Sequence, residues 1–369
     1  MLENKPIHIT YIGRLVSEKG IDIVLACIRR GISEKRNIIW HICGDGEKID
    51  EFRKIEKYEK SEINIYGHID REKIYQVLDV TDLVLMPSLF LETFGLVALE
   101  TLSRSVAVCG FARGGLNEFI HPTLALESTD PVNSFFRILD NHLFPLIDVS
   151  QFSYDHWIEQ LKLLTIGMHR ILLVTDYTEF VGGTEQYVGL LADSLRSIGK
   201  TVEIYGYGGR LTRWTRIWLM MLTPFGFWRG WSLSTRIKKT QPDLIWMHSI
   251  LRYIGPYGLY AIRETQCRKY ITHHDLGLIS PYPSQIYSEV NIPKSSSLGD
   301  WISKDISIFA ILSIGLKWGL ASWAWSLLGR MDATNILPSP WMQSHFSKYT
   351  QHIPVIFPHT SKEFLTVKD

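Results

Sequence analysis

Short apolar runs alternate with amphipathic segments through the first half of the chain. The apolar runs predict buried strands, and the segments between them predict helices. The predicted strands are Ile7–Ile12, Ile38–Cys43, Ile63–Tyr66, Leu83–Met86 and Val106–Cys109. The predicted helices run to about Arg30 and then over Lys48–Lys60, Glu72–Leu78 and Asp130–Leu139. Strands that alternate with helices predict an α/β fold with a parallel sheet.

A second series of the same kind follows an amphipathic helix predicted at Phe152–Leu164. Its predicted elements are strands at Arg170–Val174 and Val202–Tyr205 and a helix at Tyr187–Ile198. The chain is therefore predicted to form two α/β domains, with bounds at 1–167 and 168–369. A chain of 369 residues is long enough for two or three domains.

Candidate ligand-binding residues follow the predicted strands of the first domain. Arg14 and Lys19 come after the first strand, and Gly44 comes after the second. Ligands of parallel sheets bind at the carboxyl ends of the strands. Glu18 and Lys19 could otherwise be ordinary charges at the start of a helix.

Glu92 and Glu100 form the most informative pair in the chain, with Phe94-Gly95 between them. At about 100° per residue, eight helical steps would put the two carboxylates on different faces. Glu92 is therefore predicted on a loop, Gly95 at the start of a helix and Glu100 within that helix. The N–H groups at a helix start attract a diphosphate, and carboxylates accept hydrogen bonds from hydroxyls. A nucleotide sugar carries both kinds of group.

These residues resemble the donor-site signature of retaining GT-B glycosyltransferases, specifically glycosyltransferase family four. The signature residues are Pro87-Ser88, Glu92, Phe94, Gly95, Leu96, Glu100, Gly114, Gly115 and Glu118. The resemblance implies that Arg14 and Lys19 hold the donor diphosphate, Glu92 a sugar hydroxyl and Glu100 the ribose, with Glu118 a secondary carboxylate. This chain departs from the pattern at Arg104, Ser105 and Ala107, where the family has a Gly and a Pro.

The second half resembles the usual amino-terminal domain of the same family. Asp243–Met247 and Tyr270–Asp275 resemble its later strand ends, and Asn335–Ser347 resembles its closing strand and helix. The resemblance implies two Rossmann-like domains facing a cleft, in swapped order: circularly permuted, or fused from two neighbouring genes. It also implies that Gly182 and Gly183 approach the diphosphate and that His274 contacts the donor sugar or supports the reacting centre, with His273 as its neighbour. His273, His274 and Asp275 would otherwise be a hydrogen-bonded loop, and no metal or other cofactor is expected.

A basic and aromatic stretch without acidic residues separates Glu203 from Asp243. Trp214, Ile217, Trp218 and Met221 follow helical spacing, and such helices lie in the headgroup region of membranes. The apolar segment 306–329 is about as long as a bilayer-spanning helix. Partial insertion is favoured for it over spanning or full burial. Nucleic acid is not expected as a partner, because no binding motif accompanies the basic residues.

Composition narrows the class of protein and its compartment. Lys+Arg 39 against Asp+Glu 38 gives a net charge of +1, which excludes a polyanion-binding protein as a whole. The four cysteines lack CxxC spacing and fit a reducing compartment, and no amino-terminal signal is recognised. We expect a cytoplasmic enzyme, peripheral on the inner face of the membrane.

The predicted activity is transfer of a hexose from a nucleotide diphosphate sugar to a lipid-linked or cell-envelope glycan. Two alternatives remain open from the sequence. One is a nonhydrolysing sugar-nucleotide epimerase, and the other is a non-catalytic, membrane-associated protein that binds sugar nucleotides.

Overall fold

The computed structural model describes residues 5–58, 63–178, 183–209, 222, 226–251, 253–274 and 308–346. These residues divide into two compact units, with the division between Tyr154 and Asp155. Unit 1 precedes the division and unit 2 follows it. Each unit contains a five-stranded sheet whose strand pairs are all parallel. The α/β fold with parallel sheets is confirmed.

Strands and helices alternate in unit 1, as the hydrophobic pattern predicts. Its elements are β1 (Ile7–Ile12), α1 (Ile21–Ser33), β2 (Ile38–Cys43), α2 (Ile49–Tyr58), β3 (Ile63–Gly67), α3 (Arg71–Leu78), β4 (Leu83–Met86), α4 (Leu96–Ser103), β5 (Ala107–Gly110) and α5 (Pro131–Asp140). The sheet order is β3-β2-β1-β4-β5. Every residue of β4 and β5 is buried, as expected for strands covered on both faces.

Helix α1 illustrates how the pattern becomes packing. Ile21, Val24, Leu25 and Ile28 recur at i, i+3, i+4 and i+7, and all four are buried. Its preceding residue, Gly20, has a φ of 72° in the left-handed region. A glycine there turns the chain sharply from the loop after β1 into the helix.

The same alternation forms unit 2. Its elements are α6 (Tyr154–Leu164), β6 (Arg170–Tyr177), α7 (Gly183–Ser197), β7 (Thr201–Tyr207), α8 (Phe227–Thr240), β8 (Leu244–Met247), α9 (Gly255–Arg263), β9 (Arg268–Thr272), α10 (Ile308–Leu328), β10 (Ala333–Ile336) and α11 (Pro340–Phe346). The sheet order is β10-β9-β8-β6-β7. Helix α6 begins one residue before the division, and Tyr270 of this unit donates a 2.8 Å hydrogen bond to its Leu164 carbonyl.

Helix α10 corresponds to the apolar segment 306–329. Ala324, Leu327 and Leu328 are buried in the core cluster that also holds side chains of α8, α9 and the sheet. Trp323 is 40% exposed and contacts Tyr257 of α9. In the part of the chain that the structure describes, no helix combines the length and apolar character needed to cross a membrane. Predicted insertion of this segment is untested.

Strand order reverses at the first strand of each sheet. In unit 1 the chain continues from β1 to β2 on one side and later places β4 on the other. In unit 2 it continues from β6 to β7 and then places β8 on the opposite side. The connections diverge at such a point and leave a crevice beyond the carboxyl ends of the two strands. Each unit therefore has one topological switch point, at β1/β4 and at β6/β8.

Candidate functional site

Three loops of unit 1 meet at the carboxyl edge of its sheet, in backbone contact. A β-carbon on Gly20 would lie 1.8 Å from the Pro87 carbonyl oxygen. A β-carbon on Gly44 would lie 1.8 Å from the Gly13 carbonyl oxygen. Both distances are far inside van der Waals contact, so only glycine fits. The loops that follow β1, β2 and β4 are thereby fixed against one another at the β1/β4 switch point.

Lys19 and Glu92 form an ion pair across this switch point. The Lys19 Nζ atom lies 2.6 Å from Glu92 Oε1, and the side chains are 22% and 14% exposed. Ser88 donates a second hydrogen bond to the same oxygen at 2.9 Å, and the Phe90 ring lies under the Lys19 ammonium. The structure therefore brings together two of the predicted site residues that are 73 positions apart.

Hydrogen bonds from residues on both sides hold the loop that carries Glu92. Leu89 donates its backbone N–H to the Glu18 carbonyl at 3.0 Å. Gly115 donates its N–H to the Glu92 carbonyl at 2.7 Å, and the Arg113 guanidinium donates to the Leu89 carbonyl at 2.7 Å. A loop held in this way keeps its carboxylate in one position without a ligand.

The structure confirms the predicted placement of the glutamate pair on a loop and a helix. Glu92 lies on the loop after β4, Gly95 is the N-cap of α4, and Glu100 lies inside that helix. Gly95 has a φ of 111° and no side chain to cap the helix. The first N–H groups of α4 therefore receive no hydrogen bond from a capping side chain, and they suit an anion.

Glu100 has a different partner from Glu92. Its carboxylate is largely buried and lies 3.1 Å from the guanidinium of Arg71, the first residue of α3. Burial raises the pKa of Glu100, and the nearby Arg71 charge opposes that rise. Arg71 therefore supports the ionised form that accepts hydroxyl hydrogen bonds.

The glycine pair at 114–115 packs against the Glu92 loop. A β-carbon on Gly115 would lie 2.6 Å from the backbone of Phe94, and one on Gly114 would lie 2.7 Å from the Glu92 carbonyl oxygen. Glu118 ends the short 3-10 turn that begins with this pair. Desolvation raises the pKa of Glu118 to about 7, and its Oε1 atom lacks a hydrogen-bond partner among the described residues.

Three other predicted binding residues of unit 1 lie outside the Lys19–Glu92 and Arg71–Glu100 ion pairs. Arg14 is exposed, and its guanidinium donates to Glu18 at 2.9 Å. Phe94 is buried against Phe119 and Phe152, so only its backbone is available to a ligand. Leu96 is the half-buried first residue of α4.

The departures from the family pattern are accommodated locally. Ser105 follows α4 with a φ of 58°, in the left-handed region that glycine adopts at helix ends. Arg104 forms an ion pair with Asp79 and lies over the Tyr75 ring. The loop keeps the glycine-type conformation with a serine in it.

The switch point of unit 2 is built from neutral histidines and aromatic rings. His248 follows β8, and its Nδ1 atom lies 3.0 Å from Nε2 of His274, which follows β9. Tyr187 of α7 contacts both imidazoles. His273 turns away to Asn335, with 2.9 Å between Nε2 and Oδ1. Burial lowers the pKa of His273 to about 4 and that of His274 to about 3.

Some predictions for unit 2 fall on parts of the chain that are not described. Gly183 is the first residue of α7, but Gly182 and Asp275 lie outside the described residues. The predicted basic and aromatic helix at 214–221 also lies outside them.

The sequence placed Ser88 in the family signature without predicting its partner, and it did not single out the other three residues that shape these sites. Arg71, Ser88 and Arg113 contact Glu100, Glu92 and its loop, and His248 contacts His274. Ser88 and His248 were visible as a loop residue and a strand-end residue, but no spacing rule links either one to its partner. Arg71 and Arg113 resemble ordinary surface cations in the sequence.

Comparison with known proteins places a recognised family over unit 1. Residues 2–126 match the sequence model of the family described as Glycosyl transferases group 1. This match covers 125 of the 369 residues and includes Arg14, Lys19, Glu92, Glu100 and Glu118.

Two curated proteins illustrate the sequence similarity. An uncharacterized 41.2 kDa protein from the cps region of Klebsiella pneumoniae is 31% identical over 143 residues, 38% of this chain and 38% of that protein. A lipopolysaccharide 1,2-N-acetylglucosaminetransferase of Salmonella typhimurium is 27% identical over 145 residues, 35% of this chain and 38% of that protein. The chain thus spans well under half the length of these relatives.

Solved structures give a weaker likeness. The catalytic domain of cholesterol-alpha-glucosyltransferase from Helicobacter pylori has a TM-score of 0.31 and 15% identity, over 37% of this chain and 89% of that one. The family match over residues 2–126, rather than this likeness, connects unit 1 to glycosyl transfer.

Proposed function

We propose that the protein is a retaining glycosyltransferase of family four that transfers a hexose from a nucleotide diphosphate sugar. The observation that carries this proposal is the Lys19–Glu92 pair at the β1/β4 switch point, next to the uncapped start of α4. This arrangement offers a cation, a carboxylate and helix N–H groups, all from residues within the matched range 2–126. Those groups complement a diphosphate and a sugar hydroxyl.

The proposed chemistry is stabilisation of a departing nucleotide diphosphate. Lys19, Arg14 and the N–H groups of α4 would neutralise the charge that develops on the leaving phosphate. Glu92 would accept a hydrogen bond from a sugar hydroxyl, and Glu100 from the ribose. The leaving phosphate would take the acceptor's proton on the same face, so no protein nucleophile is needed.

We also propose that unit 2 is the acceptor-side domain, in swapped order along the chain. It has its own parallel sheet and switch point, with His274 at the end of β9. A rearranged gene that encodes residues 168–369 followed by 1–167 should yield an active enzyme. An active monomer in sedimentation would exclude obligate pairing of halves from different molecules, which fusion of two genes would require.

The acceptor we propose is a lipid-linked or cell-envelope glycan, reached from the inner face of the membrane. Helix α8 supports this part of the proposal. Phe227, Trp228 and Trp231 are 67%, 44% and 73% exposed in its first turns, and its last turn carries Lys238 and Lys239. Exposed aromatic residues next to cations suit the headgroup region of an anionic bilayer.

A panel of nucleotide sugars scored by thermal shift would test the donor site first. A ligand that binds the folded protein raises its melting temperature by mass action. We expect one donor to raise it, and the purified protein to hydrolyse that donor slowly without an acceptor. Interconversion of two free sugar nucleotides would instead identify an epimerase. Binding with no turnover, even when envelope glycan acceptors are supplied, would identify a non-catalytic protein.

Co-sedimentation with anionic vesicles would test the membrane surface. We expect the protein to bind vesicles that contain phosphatidylglycerol, and the double variants Phe227→Ser/Trp231→Ser and Arg213→Glu/Arg216→Glu to be released. Leu143→Ser is the matched control, since Leu143 is 74% exposed in unit 1. Equal binding by all variants would contradict a membrane contact at this surface.

A further inference from the structure

His248 is a buried imidazole at the switch point of unit 2, and the proposed chemistry gives it no role. Its backbone N–H donates to the Val174 carbonyl at 2.8 Å, which fixes it beside the end of β6. Its side chain is 3% exposed. Trp246 stacks against one face with 6.1 Å between ring centroids, and Tyr187 covers another side at 5.8 Å. The ring is therefore held in one orientation.

The two nitrogens of His248 differ in their surroundings. Nδ1 lies 3.0 Å from Nε2 of His274, and Nε2 has no hydrogen-bond partner among the described residues. Burial lowers the pKa of both imidazoles, so each ring is neutral and carries a single N–H. One ring must then donate and the other accept in this hydrogen bond.

The surroundings of Nε2 decide which ring donates. If His274 donated, His248 would carry its own proton on Nε2, as a buried N–H without an acceptor. If His248 donates from Nδ1, its Nε2 is only an unpaired acceptor. Buried donors without partners are rarer than under-satisfied acceptors in folded proteins, so the second arrangement is favoured.

We propose that His248 is a positioning residue whose Nδ1–H donates to His274 Nε2 and holds His274 in the neutral tautomer protonated on Nδ1. His274 then carries its proton on Nδ1 and has its Nε2 lone pair engaged. It would therefore not remove a proton through Nε2. This catalytic consequence rests on the proposed function, whereas the hydrogen bond itself does not.

Nitrogen NMR of the full-length protein tests the tautomer directly. Long-range proton–nitrogen correlations of ¹⁵N-histidine-labelled protein distinguish a protonated ring nitrogen from an unprotonated one. His274→Gln assigns the His274 signals by their disappearance. We expect Nε2 of His274 to be unprotonated and Nδ1 protonated. The opposite pattern, or an equal mixture of the two tautomers, would overturn the inference.

Two variants of His248 separate positioning from packing. In His248→Asn, the amide nitrogen takes about the place of Nδ1 and keeps a donor. His248→Leu fills a similar volume without one. We expect the Leu variant to lose about tenfold in kcat with little change in donor KM, as one lost transition-state contact predicts. The Asn variant should stay within about threefold of wild-type kcat and keep the His274 tautomer.

The outcomes distinguish this inference from the proposed function. Wild-type kcat in His248→Leu, or an Asn variant as impaired as the Leu variant, would reject a positioning role. If the wild-type protein turned over no nucleotide sugar, the proposed function would fail. The nitrogen resonances of the wild-type protein would then decide the His248–His274 arrangement by themselves.

Discussion

The two units share one plan and differ in the charge at their switch points. Unit 1 places ion pairs at the carboxyl edge of its sheet, Lys19 with Glu92 and Arg71 with Glu100. Unit 2 places His248 and His274 there, enclosed by aromatic rings and kept neutral by burial. Both edges follow from parallel strands that reverse their order at the first strand.

The contrast teaches that topology fixes the place of a site and leaves its chemistry to the side chains. Charged groups in partly buried positions need partners, because desolvation opposes their ionised forms. Unit 1 meets that need with paired charges that suit an anionic ligand. Unit 2 avoids it with neutral imidazoles, which suit hydroxyl groups.

Glu92→Gln removes a charge from the site of unit 1, and we expect it to have the largest effect on turnover. The amide keeps the side-chain volume but loses the charge that pairs with Lys19. Turnover of the donor should fall by orders of magnitude while the melting temperature stays near that of the wild type. Glu72→Gln in the first turn of α3 is a control for the substitution itself. Wild-type turnover in Glu92→Gln would remove this carboxylate from the site.

Arg71→Met tests whether the second ion pair supports nucleotide binding. Without Arg71 the buried Glu100 carboxylate loses the charge that opposes its desolvation. We expect the affinity for the donor found in the panel to fall about tenfold in calorimetry. Arg29→Met is the control, since Arg29 forms an exposed pair with Glu51. Unchanged affinity in Arg71→Met would show that Glu100 needs no such partner.

Glu118→Gln tests an acid of this region whose pKa is raised to about 7 by desolvation. Its folded-state pKa of about 7 exceeds the ordinary value of 4.5, so the folded protein prefers the protonated form. Wild-type stability should therefore fall as pH rises from about 5 to about 7. The Gln variant should lose that dependence and be more stable at pH 8 by about 1 kcal/mol after allowance for solvent screening. Thermal melts at pH 5 and pH 8 measure it, and parallel curves for both proteins would contradict the prediction.

Ser105→Gly carries the smallest expected effect and sharpens the comparison with the family pattern. Ser105 has a φ of 58°, which glycine adopts with less strain. We expect the variant to be more stable by about 0.5 kcal/mol, without loss of turnover. Ser103→Gly, at the last residue of α4, should instead destabilise the protein by about 0.5–1 kcal/mol, because it also removes the hydrogen bond from the serine hydroxyl to the Leu99 carbonyl. A loss of stability in both variants would show that the serine is favourable where it stands.

An element could be predicted from the sequence where residues close to it in the chain determine its structure. The strands of unit 1 agree with the apolar runs to within one or two residues, because burial on both faces requires continuous apolar sequence. Gly95 was predicted to open a helix, and it does so with a φ of 111°. Its further role was not predictable, since a β-carbon there would meet Leu116 at 2.7 Å, a contact that only the folded loop creates.

The sequence by itself determined the alternation of strands and helices, the two series of elements and the loop and helix positions of Glu92 and Glu100. Periodicity and turn residues act over a few positions, so a reader of the chain can see them. Only the tertiary structure decided that Lys19 meets Glu92, that Arg71 meets Glu100 and that His248 meets His274. Sheet order sets the first and the last of those pairings, because it brings together the loops after neighbouring strands, 73 and 26 residues apart in sequence.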